Sequence, residues 1–226
     1  MCGRYGFEPQ PNQLRAFFGT DSSIEFESRA ELKPTDLAPV ILSNSKSRSR
    51  VAWMRWGLLP SWQATDGQRP KPLINARSET VHQKASFRES FAKRRCLVLA
   101  TSFCEWQRHE GSRTPHRIGL STRAPFAMAG IWQPVHSSAA REPNRFCILT
   151  TEPNDLIRSI HDRMPVILKP HDYARWIAHD SNIPELRQLL EPHDAQSMYV
   201  EPITTLKQST KPRLRTPSAP SQLNLF

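Results

Sequence analysis

The chain has 226 residues, of which 38% are hydrophobic, so it can bury one sizeable core. Lys and Arg number 31 against 21 Asp and Glu, a formal net charge of +10. This balance indicates a polyanionic partner, although charge alone does not separate nucleic acid from a membrane surface or from plain solubility. No apolar run approaches the roughly 18–20 residues needed to cross a bilayer, and no signal-peptide core is present. We therefore expect a cytoplasmic protein without membrane association.

Short apolar runs bounded by turn-forming residues dominate the chain and predict strands. They cover residues 37–42, 51–56, 96–100, 125–132, 146–150 and 164–168. Five stretches have the length or the leading proline of short helices, namely 11–18, 86–94, 153–160, 172–178 and 184–190. The pattern predicts one α+β domain over residues 1–206. Its mixed, mostly antiparallel sheet is expected to close into a barrel-like core flanked by short helices.

The composition changes at residue 207. Residues 207–221 are rich in Ser, Thr, Pro, Lys and Arg and contain no acidic residue, which predicts a disordered basic tail over 207–226. The tail ends in apolar side chains that have nothing local to pack on, which is typical of a segment that docks into a partner's groove. Its last five residues resemble the bacterial sliding-clamp-binding pentapeptide Q-L-x-L-F, with matches at Gln222, Leu223, Leu225 and Phe226. The resemblance implies a sliding clamp as a partner.

The four cysteines are scattered and form no C-x-x-C pair, so the sequence indicates neither a zinc site nor a disulfide framework. Cys96 and Cys147 lie in apolar runs and are expected in the core. We expect no metal and no other cofactor.

Cys2 becomes the first residue if Met1 is removed, and an N-terminal cysteine carries an amine and a thiol on adjacent carbons. An α-amine with a pKa of roughly 7.7–8.0 is about one-tenth unprotonated at pH 7. It can capture an aldehyde as a Schiff base, and the thiol can then close a five-membered thiazolidine ring at high effective molarity. The plain alternative is that Cys2 merely follows the start codon.

Four further segments stand out beside the N-terminal M-C-G-R-Y. They are L-I-N-A-R-S-E-T at 73–80, R-C-L-V-L-A at 95–100 running into F-C-E-W at 103–106, M-A-G-I-W at 128–132, and I-H-D-R-M-P at 160–165. Together and in this order they resemble the SRAP (SOS response-associated peptidase) family, over residues 1 to about 205. That family includes proteins that crosslink to abasic sites in DNA.

The resemblance implies a covalent trap for the ring-opened aldehyde of an abasic site in single-stranded DNA. Cys2 matches the family's nucleophile, Glu105 the glutamate of its E-W motif and His161 the histidine of its H-D-R-M-P motif. Asn75 and Arg77 match the N-A-R motif. The chemistry agrees, since a carboxylate and an imidazole can shuttle protons near pH 7. A solvated glutamate at a strand end and a histidine that caps a helix remain the alternatives.

Candidate DNA contacts are the guanidinium groups of Arg4, Arg77 and Arg163, whose geometry suits phosphates. Trp62 and Trp106 are candidate stacking platforms for bases beside the lesion. Some of the six tryptophans are expected to be core residues instead, namely Trp53, Trp56 and Trp132.

Two positions depart from the family pattern. Glu31 stands where the family usually has an asparagine, and a carboxylate there would repel phosphate. Thr101-Ser102 replaces an Asp-Gly turn just ahead of Glu105.

Three functions remain open on sequence alone. The first is an abasic-site crosslinking protein with lyase- or peptidase-type chemistry, associated with the nucleoid. The second is a cysteine hydrolase that uses Cys2 with His161 and Glu105, acting on a peptide or on its own N-terminus. The third is a non-catalytic binder of modified single-stranded DNA.

Overall fold

The computed structural model describes residues 2–10, 13–18, 28–43, 49–60, 71–109, 111–135 and 142–203. Within these ranges the strands are β1 (Tyr5–Phe7), β2 (Arg29–Leu32), β3 (Leu37–Ser43), β4 (Ser49–Trp56), β5 (Asn75–Arg77), β6 (Arg95–Ala100), β7 (Ser102–His109), β8 (Ser112–Leu120), β9 (Phe126–Gln133), β10 (Arg145–Thr151), β11 (Met164–Pro165) and β12 (Met198–Pro202). The helices are α1 (Gln13–Phe18), α2 (Arg88–Lys93), α3 (Asp155–Arg158), α4 (Tyr173–Ile177) and α5 (Ile183–Gln188).

One sheet closes on itself. Strands β10, β4, β3, β6 and β9 follow one another, and β9 pairs again with β10, so these five strands form a ring. The β3–β4, β3–β6, β6–β9 and β9–β10 pairings are antiparallel, whereas β10 runs parallel to β4 and β5. The predicted α+β class with a mixed, mostly antiparallel sheet is confirmed, and the ring is consistent with the expected barrel-like core.

A second sheet has the order β12-β8-β7-β1-β2 and is antiparallel throughout. The chain passes from the ring to this sheet within one residue, because β6 ends at Ala100 and β7 begins at Ser102. β1 joins the sheet beside β7, with Tyr5 opposite Phe103. This pairing brings the N-terminus of the chain next to the middle of β7.

The ring is packed with the apolar runs that predict strands. Every residue of β6 is buried, including Cys96, and Cys147 on β10 is buried as well. Trp56 is fully buried, its indole stacked on Phe146, and Trp132 is half-buried against the core. Trp53 is half-buried. This apolar interior makes the ring a rigid base for the loops and strands around it.

Helices occur at all five predicted positions but are only four to six residues long. Asn154 caps α3 by accepting from the N–H of Ile157, and Asn182 caps α5 by accepting from that of Glu185. Among the residues that the structure describes, no helix is long and apolar enough to span a membrane.

Candidate active site around Cys2

Cys2 lies just before β1, and its side chain is fully buried. Asn75, the first residue of β5, donates from Nδ2 to the carbonyl oxygen of Cys2 at 2.9 Å. The thiol of Cys2 points at the carbonyl oxygen of Arg4, with a sulfur–oxygen distance of 3.8 Å. The N–H of Cys104 donates to the same carbonyl at 2.9 Å. Strands β5 and β7 therefore hold the N-terminal segment from both sides.

The Cys2 thiol is neutral at physiological pH. Burial raises its pKa well above the usual value, and the negative charge of Glu105 raises it further. A buried thiol of this kind needs a nearby base before it can attack an electrophile.

Glu105 lies on β7, where the alternation of the strand turns it inward beside Phe103. Only 2% of Glu105 is exposed. Burial raises the pKa of the carboxyl to about 7, while the positive charge of the chain's amino terminus acts in the opposite direction. Near neutral pH the group therefore exists in both protonation states, as a proton shuttle requires.

His161 follows α3, and its Nε2 lies 3.7 Å from Oε2 of Glu105. The backbone N–H of Arg163 donates to its Nδ1 at 3.0 Å. Burial lowers the pKa of His161, so the ring is neutral at pH 7. Because Nδ1 accepts, we assign the ring proton to Nε2, where it faces Glu105.

Asp162 offers a competing contact, since its Oδ1 lies 2.9 Å from Nδ1 of His161. Nδ1 cannot donate to this carboxylate while it accepts from the Arg163 N–H. The side chain of Asp162 is 82% exposed and can turn toward water, whereas the backbone N–H is fixed. The backbone bond therefore decides the tautomer.

Two of the predicted DNA-contacting arginines are held by carboxylates. Arg163 makes a bidentate pair with Glu79, at 2.7 and 2.9 Å, and donates to the carbonyl of Thr150 at 2.5 Å. Arg4 pairs with Glu31 at 2.5 Å. Its guanidinium also lies 5.1 Å from the ring centroid of Trp106 and so covers one face of this half-buried indole.

Arg77, at the end of β5, is exposed. Trp62 lies outside the described residues. The structure thus gathers Cys2, Asn75, Glu105 and His161 into one cluster, with Arg4 and Trp106 beside it.

Sequence reasoning missed the acidic partners that surround this cluster. Glu31 contacts both Arg4 and Lys33, the latter at 3.0 Å, and Glu79 holds Arg163. The carboxylate of Glu31 is visible as a departure from the family pattern, but its pairing depends on contacts 27 residues apart in sequence. In the described part of the chain no group of three or more His, Cys, Asp or Glu residues is arranged to hold a metal ion.

The family model "SOS response associated peptidase (SRAP)" matches residues 1–209. Abasic site processing protein YoqW of Bacillus subtilis is 34% identical over 93% of this chain and 96% of its own length. The relative YoaM of the same organism is 35% identical over 93% and 94%. HMCES of Xenopus tropicalis, also called an abasic site processing protein, is 27% identical over 93% of this chain and 76% of its own length.

Solved structures resemble the fold closely. A Bacteroides thetaiotaomicron protein superposes with a TM-score of 0.79 at 26% identity, over 89% of this chain and 92% of that one. A Bordetella bronchiseptica protein superposes with a TM-score of 0.76, also at 26% identity, over 90% of this chain and 100% of that one.

Proposed function

The chain belongs to the SRAP (SOS response-associated peptidase) family, and on this premise we propose that it traps abasic sites in single-stranded DNA covalently through Cys2. Relatives named abasic site processing proteins support abasic DNA as the substrate. The observation that carries the proposal is the cluster formed by the buried Cys2 and Glu105 with the half-buried Asn75 and His161. It combines a nucleophile with two groups that move protons near neutral pH.

The reaction begins at the amine of Cys2, which is free once Met1 is removed. It adds to the C1′ aldehyde of the ring-opened sugar, and the resulting carbinolamine loses one water to give a Schiff base. The Sγ atom of Cys2 then bonds to the same carbon while the thiol proton passes to the imine nitrogen. The product is a thiazolidine, and the net change is the loss of one water.

Glu105 can serve two of these steps. Its protonated form can donate to the departing hydroxyl of the carbinolamine, and its ionised form can accept the thiol proton of Cys2. Both forms are populated because burial raises the pKa of Glu105 to about 7. His161 can relay protons between Glu105 and solvent, because its side chain is 22% exposed and its Nε2 faces the carboxyl.

Asn75 supplies orientation. Its Nδ2 holds the Cys2 backbone, and its Oδ1 is buried without a hydrogen-bond partner among the described residues. A buried carbonyl oxygen without a partner is costly, and an ammonium, amine or sugar hydroxyl arriving at the site would satisfy it. We therefore assign Asn75 to positioning the Cys2 amine or the opened sugar.

A thiol-dependent peptidase is less well supported. Such an enzyme attacks with a thiolate, whereas burial and Glu105 raise the pKa of the Cys2 thiol. In the trap the amine attacks first, and the thiol is needed only for the intramolecular ring closure.

The test uses single-stranded DNA that contains one uracil and is treated with uracil glycosylase. We expect a band shifted on a denaturing gel, lost in Cys2→Ala and retained in the matched control Cys104→Ala. Retention of the shift in Cys2→Ala would contradict the proposal. A shift under native conditions only would favour the plain binder, and peptide cleavage without any shift would favour the hydrolase.

The mass of the intact protein checks the premise of the first step. A retained Met1 would block the amine and exclude ring closure. Mass spectrometry of the adduct should place the DNA on Cys2, and attachment to a lysine would refute the mechanism.

For the tail, which lies outside the described residues, we propose binding to the sliding clamp through Gln222, Leu223, Leu225 and Phe226. Such a tether raises the local concentration of the trap at replication forks, within the nucleoid, without new DNA contacts. Deleting residues 222–226 should abolish binding to purified clamp while crosslinking without clamp stays unchanged. If the chain without residues 222–226 bound the clamp as strongly as the full chain, the proposed clamp contact would be wrong.

A further inference from the structure

The outer face of the β7–β8 hairpin carries a row of basic and aromatic side chains. Residues directly opposite each other in an antiparallel ladder project to the same face, and so do alternate residues along one strand. The opposed pairs on this face are Cys104 with Arg117, Trp106 with Pro115, and Arg108 with Arg113. The row therefore ends at the hairpin tip with two arginines side by side.

The arginines nearer the middle of the sheet have acidic neighbours. Arg4 pairs with Glu31 at 2.5 Å, and Arg117 lies opposite Glu201 of β12. Arg108 and Arg113, by contrast, form no ion pair with a carboxylate of the described residues, which do not include Glu110 of the hairpin turn. Both are exposed, and with His109 and Ser112 they line an open depression of about 310 Å³.

Like charges placed directly opposite in a ladder destabilise it. An anion between the two guanidiniums would convert that repulsion into two charge-assisted hydrogen-bonding interactions, and phosphate oxygens have the geometry to accept them. The arrangement is therefore suited to a phosphate more than to folding.

The hairpin is fixed to the Cys2 cluster. Gln107 donates from Nε2 to the carbonyl of Ser159 at 3.1 Å, two residues before His161. Arg108 follows Glu105 by three positions, which is about 10 Å along a strand. Its positive charge also contributes to lowering the pKa of His161.

A nucleic-acid strand can pass from the cluster to this face. Glu105 and Gln107 point to the side of the cluster, whereas Trp106 and Arg108 point to the other side. The N-terminal segment lies along β7 beyond this pairing, because the N–H of Cys104 donates to the carbonyl of Arg4, and nearer the hairpin tip no strand of the described chain pairs with that edge of β7. A single strand can cross this edge, pass Trp106 and reach the hairpin tip.

We infer that Arg108 and Arg113 hold a backbone phosphate of the single-stranded DNA that flanks the abasic nucleotide. The inference rests on the proposed function for the nature of the ligand. Single strands fit better than duplex because at the hairpin tip, beyond the end of β12, the face is only two strands wide and lies next to one aromatic ring, the arrangement expected of a sequence-tolerant track.

The experiment measures fluorescence anisotropy of the full chain with an intact 15-nucleotide single strand that carries no abasic site. Binding to this probe does not depend on covalent chemistry, so the inference is tested even if the crosslink is absent. In the double variant Arg108→Ala/Arg113→Ala we expect about tenfold weaker binding and a shallower salt dependence, by roughly 0.7 for one phosphate released. Arg108→Lys/Arg113→Lys should keep most of the salt dependence.

The matched control is Arg175→Ala/Arg187→Ala, which removes two exposed arginines from α4 and α5. A loss in the hairpin variant no larger than in this control would overturn the inference, as would a larger loss on duplex of the same sequence. The melting temperature of the hairpin variant should be unchanged or higher, because removing the two arginine side chains relieves the repulsion between them. An abasic site placed at one end of the probe or at the other should then show which flank the arginines contact. The double variant should weaken binding for only one of these two placements.

Discussion

Two buried charged residues lie ten positions apart on consecutive strands, and the surrounding protein compensates their charges to different extents. Arg95 begins β6 and Glu105 lies in the middle of β7. Burial disfavours the charge of both residues, but Arg95 donates to four backbone carbonyl oxygens, whereas the pKa of Glu105 is raised to about 7. The comparison distinguishes a charge that stabilises the fold from an ionisable group that can exchange protons near neutral pH.

The guanidinium of Arg95 joins two helices. It donates to the carbonyl oxygens of Phe91 and Ala92 at the end of α2, and to those of Trp176 and Ala178 at the end of α4. These carbonyls have no partners within their helices, and a cation there also interacts favourably with the helix dipoles. The arginine therefore replaces two C-terminal caps at once.

Burial raises the pKa of Glu105 to about 7, although the chain's amino terminus and the N–H of Trp106 both favour the ionised carboxylate. A group kept in this state costs the folded protein stability, which is a common property of functional sites.

The largest expected effect comes from Glu105→Gln. Removing one general acid–base group should slow formation of the covalent adduct by about 10²–10⁴-fold. The amide keeps the size of the side chain, so noncovalent affinity for single-stranded DNA should change little. Single-turnover gels at saturating DNA measure the rate, and a rate within threefold of the wild type would remove Glu105 from the mechanism.

The same variant should be more stable than the wild type. The carboxyl has a pKa of about 7 in the folded chain, above its value near 4.5 in the unfolded chain, so between these values the folded state binds more protons. Ionisation of Glu105 thus removes up to about 3 kcal/mol of wild-type stability as pH rises from about 4.5 to 7, whereas His161 and His193, whose pKa values burial lowers, act in the opposite direction. Denaturant unfolding at pH 5 and 8 should therefore show that the stability of Glu105→Gln relative to the wild type increases with pH by up to this amount.

Arg95→Leu should lower stability and leave the crosslinking rate unchanged, the reverse of what we expect for Glu105→Gln. It leaves four carbonyl oxygens without their donor, and we expect the free energy of unfolding to fall by about 2–4 kcal/mol. The crosslinking rate per folded molecule should stay near that of the wild type. Arg175→Leu, at an exposed position on α4, is the control and should stay within about 0.5 kcal/mol. If Arg95→Leu slowed the chemistry while remaining fully folded, the division between the two buried charges would fail.

This contrast also marks what the sequence could predict. The apolar runs on the ring were predictable because burial on both sides leaves a nearly continuous hydrophobic signal, as in β6. The β7–β8 hairpin carries no such signal, since β8 is largely exposed over its first half and includes Pro115. β1 has only three residues and β2 is mixed in polarity, so neither could be predicted, yet β1 is what brings Cys2 to β7.

The reactive residues were predictable from chemistry and from family motifs, because each has a side chain that the reaction needs. The environment of these residues was not predictable from the sequence. No local pattern indicates that Arg95 is buried among helix ends, or that Glu79 holds Arg163 from 84 positions away. Such pairings depend on tertiary contacts, and only the coordinates give them.

His161→Ala should have an intermediate effect. Its imidazole is neutral at pH 7 because burial lowers its pKa, and it can pass a proton to or from Glu105. We expect adduct formation to slow by about 10- to 100-fold, with noncovalent DNA affinity within about twofold. His171→Ala, at an exposed position, is the control. Equal losses in rate and affinity would mean that His161 acts through binding.

The smallest effect tests a charge that lies between these two classes. Glu31 is half-buried and is shared by Arg4 and Lys33, at 2.5 and 3.0 Å. Glu31→Gln should leave one more uncompensated positive charge beside the site. Single-stranded DNA should then bind about two- to fivefold more tightly at low salt, with a steeper salt dependence.

The control for this change is Glu185→Gln, which removes a carboxylate paired with Arg175 at 3.5 Å on the helical side of the fold. It should leave DNA affinity unchanged. If Glu31→Gln weakened binding instead, the carboxylate would be needed to hold Arg4 against Trp106, and Glu31 would belong with Arg95 as a charge that builds structure. The sign of the change in affinity therefore decides which of the two classes Glu31 joins.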